Sequence, residues 1–254
     1  MVLYLFSDMS IFYVKNEQIN GDKAVILGGD VKHIRDVLRY NVSDTLDICD
    51  DDGIRYTTKI AGFDKETVFL DVLEKSDFTT EPSINVTLFQ GMPKADKLEL
   101  IIQKTTELGV STVVPVVTER TVVKFDEKDI NKKVERWNKI AQEAGKQSGR
   151  QKIPVVEKPI KLKNLIENIS KYDILLLPYE CEKEMTLKAV LRNLKEKCKN
   201  VAIFIGPEGG FSEEEVRLLS KLENVKTVTL GPRILRTETA GIATVAMVLY
   251  ELQD

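Results

Sequence analysis

Val201, Ala202, Ile203, Phe204 and Ile205 follow one another without a polar break. A strand with one wet face alternates apolar and polar residues, so an unbroken run describes a strand covered on both sides, the hallmark of a parallel sheet with helices packed on each face. The next residues are Gly206-Pro207-Glu208-Gly209-Gly210, and after them Ser212 and Glu215 stand at capping-box spacing. A buried strand therefore ends in a glycine-rich turn that opens into a helix. Further along, Leu230-Gly231-Pro232-Arg233-Ile234-Leu235-Arg236 joins a candidate strand, Thr227–Leu230, to a candidate helix, Thr239–Leu252.

The same alternation extends from residue 84 to the end. Ile84–Gln90, Thr112–Val117 and Ile174–Leu177 read as further strands. Ala95–Leu108 and Asp129–Ala144 read as helices, the first with Leu98, Ile101, Thr105 and Leu108 on one stripe. The final helix carries Ala240, Gly241, Ala243 and Ala246, a small-residue face suited to close packing against another backbone.

Residues 1–75 have a different texture. Ile54–Ile60 follows the turn Asp50-Asp51-Asp52-Gly53, and Thr67–Val72 follows Gly62-Phe63-Asp64, so short strands meet at tight turns. One short helix is expected over His33–Arg39. The first fourteen residues, interrupted by Asp8 and lacking a positively charged start, read as a strand and not as a signal peptide. The expected organisation is a small β-rich, barrel-like domain over 1–75, a polar linker over 76–83 with Pro82, and an α/β domain over 84–254.

Charge is uneven. The chain has a formal net charge of -3, but residues 1–75 carry a net of -5 and residues 128–163 a net of +7. Such a basic stretch attracts phosphates or is a solvated helix face followed by a loop. Cys49, Cys181 and Cys198 are odd in number and widely spaced, which disfavours a disulfide framework or zinc site. His33 is the single histidine, so a transition-metal site is not expected. No apolar run reaches membrane-spanning length, and a reducing cytoplasmic setting is the simplest reading.

Ligands of parallel sheets bind at the carboxyl ends of the strands. Two glycine-bearing loops at that edge make a concave site, with Leu230, Ile234 and Leu235 able to sandwich a flat ring and Arg236 at the rim. Neither a P-loop nor GxGxxG is present, and Glu208 beside an acidic helix start would repel phosphate. A neutral or cationic ligand read by backbone groups fits better.

The strings GPEGGFSEEE (206–215) and LGPRILRTETA (230–240) resemble the C-terminal signature of the RsmE family. Gly91–Val110 (GMPKADKLELIIQKTTELGV), Gln147-Ser148-Gly149-Arg150 before Pro154, and His33-Ile34-Arg35-Asp36-Val37-Leu38-Arg39 match further family segments. The resemblance covers nearly the whole chain. It implies a SPOUT-class methyltransferase, with a trefoil-knotted parallel-sheet domain preceded by a small PUA-like β-barrel. It implies a homodimer that methylates N3 of a uridine in 16S ribosomal RNA of the small subunit. It also implies S-adenosylmethionine as cofactor, held by the loops matching Leu177, Pro178 and Tyr179, Gly206 to Gly210 with Glu208 and Gly209, and Leu230, Gly231, Ile234, Leu235 and Arg236. Arg236 is the candidate catalytic residue, stabilising charge on the uracil oxygens. Glu238 is read as holding Arg236 or capping the last helix, and as a weaker candidate base. His33, Arg35, Arg39 and Arg150 are candidate RNA contacts, Arg35 and Arg39 sharing a face at helical spacing. Two alternatives stand beside this reading: a knotted methyltransferase acting at another RNA position, and a non-enzymatic ribosome-assembly factor.

Overall fold

The computed structural model of the 254-residue chain describes residues 11–94, 96–121, 127–194 and 198–253. The chain forms two compact units, one of residues up to Glu81 together with Gly145–Lys152, the other of Pro82–Ala144 and the residues from Ile153 onward. Residues 76–81 thus lie with the first unit and Pro82 with the second.

In the first unit a six-stranded sheet runs in the order β1-β4-β5-β6-β3-β2, where β1 is Ile11–Tyr13, β2 Ile19–Asn20, β3 Lys23–Leu27, β4 Thr45–Cys49, β5 Arg55–Phe63 and β6 Thr67–Lys75. Of the segment expected to open the chain as a strand, residues 1–10 lie outside the described residues. All pairings are antiparallel except β1 with β4. Register shifts between Thr57 and Thr58 and between Ile60 and Gly62 bend β5 against β6, as bulges do. The inner face gathers Ile26, Leu46, Ile48, Ile60, Val68 and Leu70 around Phe12.

The helix expected over His33–Arg39 takes another form. A short α1 (Gly29–Lys32) runs into a π-helical turn, His33–Val37. The Leu38 amide donates to the His33 carbonyl, five residues back, at 2.9 Å. The widened turn seats Ile34 in the core and leaves Val37 65% exposed. Arg39 lies beyond the turn with φ +57, so it does not share a helical face with Arg35.

The second unit is an all-parallel sheet in the order β10-β8-β7-β12-β11-β13, with β9 paired to β8. Its strands are β7 (Asn85–Gly91), β8 (Thr112–Val117), β9 (Val155–Val156), β10 (Ile160–Lys161), β11 (Ile174–Pro178), β12 (Asn200–Ile205) and β13 (Val225–Val228). The helices are α2 (Lys97–Leu108), α3 (Glu127–Ser148, whose residues from Gly145 onward belong to the first unit), α4 (Leu162–Asn168), α5 (Leu187–Leu194), α6 (Glu213–Leu219) and α7 (Thr237–Leu252). Ala95, expected to begin α2, lies outside the described residues.

The apolar run of β12 is divided between two cores. Val201, Ile203 and Ile205 join Val86 and Leu88 of β7, Ile101 of α2 and Val245 of α7 on one side. Ala202 and Phe204 join Phe89, Leu175, Leu177 and Leu219 on the other. Each strand thus contributes alternate side chains to opposite cores, which is why no polar break is tolerated. Because the strands are parallel, β11, β12 and β13 end at one edge, and the segments after them meet there.

Candidate functional site

A cavity of about 560 Å³ lies at that edge. Pro178, Tyr179 and Glu180 line it from the end of β11, Gly206 to Phe211 from the turn after β12, and Thr229 to Arg236 from the segment after β13. Lys97 of α2 and Thr237 and Ala240 of α7 complete the wall. The structure therefore brings together Pro178, Tyr179, Gly206, Glu208, Gly209, Gly210, Leu230, Gly231, Ile234, Leu235 and Arg236. It leaves Leu177 outside, fully buried in the second core.

The turn after β12 is held at both ends. Ser212 Oγ accepts from the Glu215 amide at 3.3 Å, and Glu215 Oε2 accepts from the Ser212 amide at 2.9 Å. This is the capping box the spacing predicts. The other Glu215 oxygen accepts from the Glu119 amide at 2.8 Å, and Arg120 Nη1 donates to the Gly209 carbonyl at 2.9 Å. Gly210 has φ +67, and its amide donates to the Pro207 carbonyl at 2.9 Å. L residues rarely adopt that conformation, so this position calls for glycine.

One rim of the cavity is a charged cluster. Lys97 Nζ lies 3.1 Å from Glu208 Oε1 and 3.3 Å from Glu238 Oε2. Glu208 also accepts from the Lys94 amide at 3.0 Å. Burial opposes its ionisation, but the backbone amides and the Lys97 ammonium outweigh that and hold its carboxyl below the ordinary range. The carboxylate of Glu208 in turn raises the Lys97 ammonium above its usual value. A hydrogen bond with Cys181, with burial adding to it, pushes the Tyr179 phenol up to about 12. Tyr179 therefore presents a neutral phenol near pH 7.

Glu238 pairs with Lys97 and not with Arg236, which corrects the expectation that it holds the arginine. Arg236 is exposed, lines the cavity, and has no carboxylate within ion-pair distance among the described residues. Its backbone is extended at φ -65 and ψ 153, immediately before α7. Leu230 and Leu235 are half-buried, while Ile234 is 90% exposed.

The candidate RNA contacts fare differently. His33 is exposed, its ring 6.3 Å from Phe12. Arg35 Nε lies 2.8 Å from Asp36 Oδ1. Arg150 is buried at 5% exposure and paired with Glu81, whose Oε1 also accepts from the Gln151 and Lys152 amides at 2.9 and 3.1 Å. Its carbonyl accepts from the Tyr13 hydroxyl at 2.6 Å. The basic run thus misled at this position: Arg150 holds a loop together within the first unit and offers no surface cation for a phosphate. Lys146, on Asp30 at 2.8 Å, is likewise engaged. Lys132, Lys139, Lys158 and Lys161 remain exposed.

Lys97, Glu180 and Thr237 were not read from the sequence as site residues. Lys97 lies within Gly91–Val110 but off the apolar stripe of Leu98, Ile101, Thr105 and Leu108, where a lysine is ordinarily solvent-facing.

Comparison with known proteins identifies the families that the chain resembles. A family model described as an RNA methyltransferase domain matches residues 80–249, and one described as an RNA methyltransferase PUA domain matches residues 26–73. The chain is 37% identical over 231 residues to the ribosomal RNA small subunit methyltransferase E of Bacillus subtilis, covering 90% of each. A solved methyltransferase of Legionella pneumophila in complex with the bound cofactor SAM is 30% identical, with a TM-score of 0.84 over 98% of this chain and 100% of that one. The ribosomal RNA small subunit methyltransferase E of Neisseria gonorrhoeae, bound to S-adenosyl methionine, is 27% identical with a TM-score of 0.82, over 96% of this chain and 98% of that one. Among the described residues no helix is long and apolar enough to cross a membrane. With a PUA unit leading into a parallel-sheet methyltransferase unit of the SPOUT type, and identity running along nine-tenths of a named relative, the chain belongs to the ribosomal RNA small subunit methyltransferase E family.

Proposed function

We propose that this protein transfers a methyl group from S-adenosylmethionine to N3 of a uridine in 16S ribosomal RNA. The observation that carries the reading is the cavity built by the three segments after β11, β12 and β13. The names of its relatives supply the substrate class, and two similar structures hold the cofactor.

The residues present suit that cofactor. The Gly206–Gly210 turn leaves backbone bare at the cavity wall, and Leu230 and Leu235 offer apolar faces for a flat base. Glu180 and Glu208 put two carboxylates on the wall, which favour positive charge on a ligand placed beside them, while Lys97, Arg233 and Arg236 carry the opposite charge elsewhere on the same wall. When bound, S-adenosylmethionine supplies an electrophilic methyl on a positive sulfur.

The chain itself supplies position and electrostatics. Uracil N3 loses its proton to solvent water, and the negative charge left behind spreads to the flanking oxygens before N3 takes the methyl. The unpaired Arg236 guanidinium at the rim stabilises that charge as it forms. Glu238, engaged by Lys97, anchors the first turn of α7. His33, Arg35 and Arg39 dock the RNA by its phosphates, with the exposed lysines of α3 and β10 as further contacts.

Two features implied by the family complete the reading. β13 lies at the sheet edge beyond β11, yet α7 packs on β12, β7 and α2. The segment between them therefore travels back across the strand ends, the path a trefoil knot requires. Tyr250 and Met247 on α7, and Leu100 and Leu108 on α2, are large apolar side chains left in solvent at 87%, 38%, 43% and 38% exposure. A second copy covers such a face in a homodimer. A ribosomal RNA substrate supports a cytoplasmic setting for the activity.

The test is to incubate the protein with S-adenosylmethionine and either deproteinised 16S RNA or small subunits, then identify the methylated nucleoside by mass spectrometry. 3-Methyluridine is expected. Methyl at a ribose or another base would reassign the target, and heat of cofactor binding indistinguishable from zero would support the assembly-factor reading instead.

A further inference from the structure

Gln90 occupies the core-facing register of β7 that Val86 and Leu88 occupy before it, and it is fully buried. Its side-chain nitrogen donates to Thr237 Oγ1 at 2.8 Å and to the Gly91 carbonyl at 3.1 Å. The Thr237 hydroxyl, having accepted that bond, donates its own proton to the Gly206 carbonyl at 2.6 Å. One hydroxyl thus joins the end of β7, the first residue after β12 and the first residue of α7. The other end of the amide is less well served. Gln90 Oε1 is buried and accepts no hydrogen bond among the described residues. Glycine at residue 241 leaves it room, since a Cβ there would stand 3.0 Å from it, a tight contact.

A buried amide with an idle oxygen is a poor choice for folding alone, because leaving an acceptor dry is unfavourable while an apolar side chain of the same size is not. What the arrangement gains is a fixed distance between the two loops that wall the cavity. Gly206 opens the glycine turn, and Thr237 directly follows Arg236. We infer that Gln90 and Thr237 are positioning residues: their relay locks the Gly206 turn to the Arg236 segment, and with it the shape of the cofactor cradle. The inference rests on the reading of the cavity as the S-adenosylmethionine site.

The test uses the full-length protein and two measurements, S-adenosylmethionine Kd by calorimetry and unfolding midpoint without cofactor. Thr237→Val keeps the shape and removes both bonds, and Kd is expected to rise about tenfold or more. Thr237→Ser keeps the hydroxyl and should return Kd to within about threefold of the parent, a rescue that a purely packing role would not produce. Gln90→Met leaves the Thr237–Gly206 bond in place and should weaken binding less. Adding it to Thr237→Val should cost little more, because both act through one hydroxyl. A parental Kd in folded Thr237→Val, or a serine variant as weak as valine, overturns the relay. Should Thr237→Val not fold, Gln90→Met decides, and a parental Kd there overturns it equally. If the parent itself binds no S-adenosylmethionine, the cofactor reading falls and the relay's role with it; a binding parent with unaffected variants removes the relay alone.

Discussion

Gly210 offers the sharpest test of the cofactor cradle, because its backbone and its surroundings make separable demands. At φ +67 any L residue other than Asn or Asp gives up about 1–2 kcal/mol, and a β-branched residue more. A new Cβ would also meet Glu180 Oε1 at 3.0 Å. That atom is the tip of an exposed side chain and can swing away, so the backbone term decides. Gly210→Ala should lower the unfolding midpoint by roughly 3–6 °C for a chain of this size. If the residue instead relaxes to negative φ, the amide leaves the Pro207 carbonyl, now at 2.9 Å, and the turn moves off the cavity wall. Cofactor affinity should then fall in the order Gly, Asn, Ala, Val, with Asn within about threefold of the parent and Val more than about tenfold weaker. Calorimetry on the four proteins, each checked for fold by circular dichroism, reads this directly. A folded Gly210→Val protein with parental affinity would refute the argument, as would an Asn variant no better than Val.

Arg236→Ala should lower kcat about a hundredfold with little change in either KM, and Lys should rescue only in part because it lacks the planar fork; a raised KM at nearly intact kcat would make Arg236 a binding residue. Arg150→Ala should destabilise the protein by about 2 kcal/mol in urea unfolding, since it removes a buried guanidinium and leaves the half-buried Glu81 carboxylate with only the Gln151 and Lys152 amides; a change below about 1 kcal/mol would show that the pair is dispensable. The Asn200 and Lys199 amides, at 2.8 and 2.7 Å, hold the Asp173 carboxyl below its ordinary range. A lowered folded-state value means that this stabilisation is fully present above the ordinary carboxylate value, about pH 4, and is lost as pH falls through the lower folded value. Asp173→Asn should therefore flatten the acid limb of the stability curve, and an unchanged limb would exclude the contribution.

How much of this could be read in advance depended on whether the signal was local. The run from Val201 to Ile205 announced its strand because two-sided burial leaves no room for a polar residue. Ser212 and Glu215 announced α6 because a capping box is complete within four residues. β3 and β4 are not legible locally: Ala24–Leu27 of β3 is an apolar run too short to tell strand from helix, and in β4 Asp47 interrupts the apolar pattern, its partner Arg55 lying on another strand. The strand expected over Thr227–Leu230 ends at Val228, because its last residues turn away to form the cavity wall. In the site, the glycine loops were visible as loops. Gln90, Lys97 and Glu180 were not, because their roles come from neighbours more than a hundred residues away or from the meeting of separate strand ends. Arg150 shows the same limit with charge: a basic run does not reveal which of its members faces a carboxylate 69 residues earlier.

The return of Gly145–Lys152 to the first unit has a practical consequence for anyone who would take this protein apart. The first unit is discontinuous in sequence, so the backbone passes from one unit to the other three times, after Glu81, after Ala144 and after Lys152. A single cut near residue 80 would not release an intact methyltransferase half. It would leave that half carrying Arg150 without Glu81 and Gln151 without Thr80, two orphaned polar groups on a loop whose companions had been discarded. A clean dissection needs two excisions, with a short bridge in place of 145–152 in one product and that same octapeptide grafted onto the other. The PUA-like unit is therefore less a detachable adaptor than a part whose last piece is written in the middle of its neighbour's sequence.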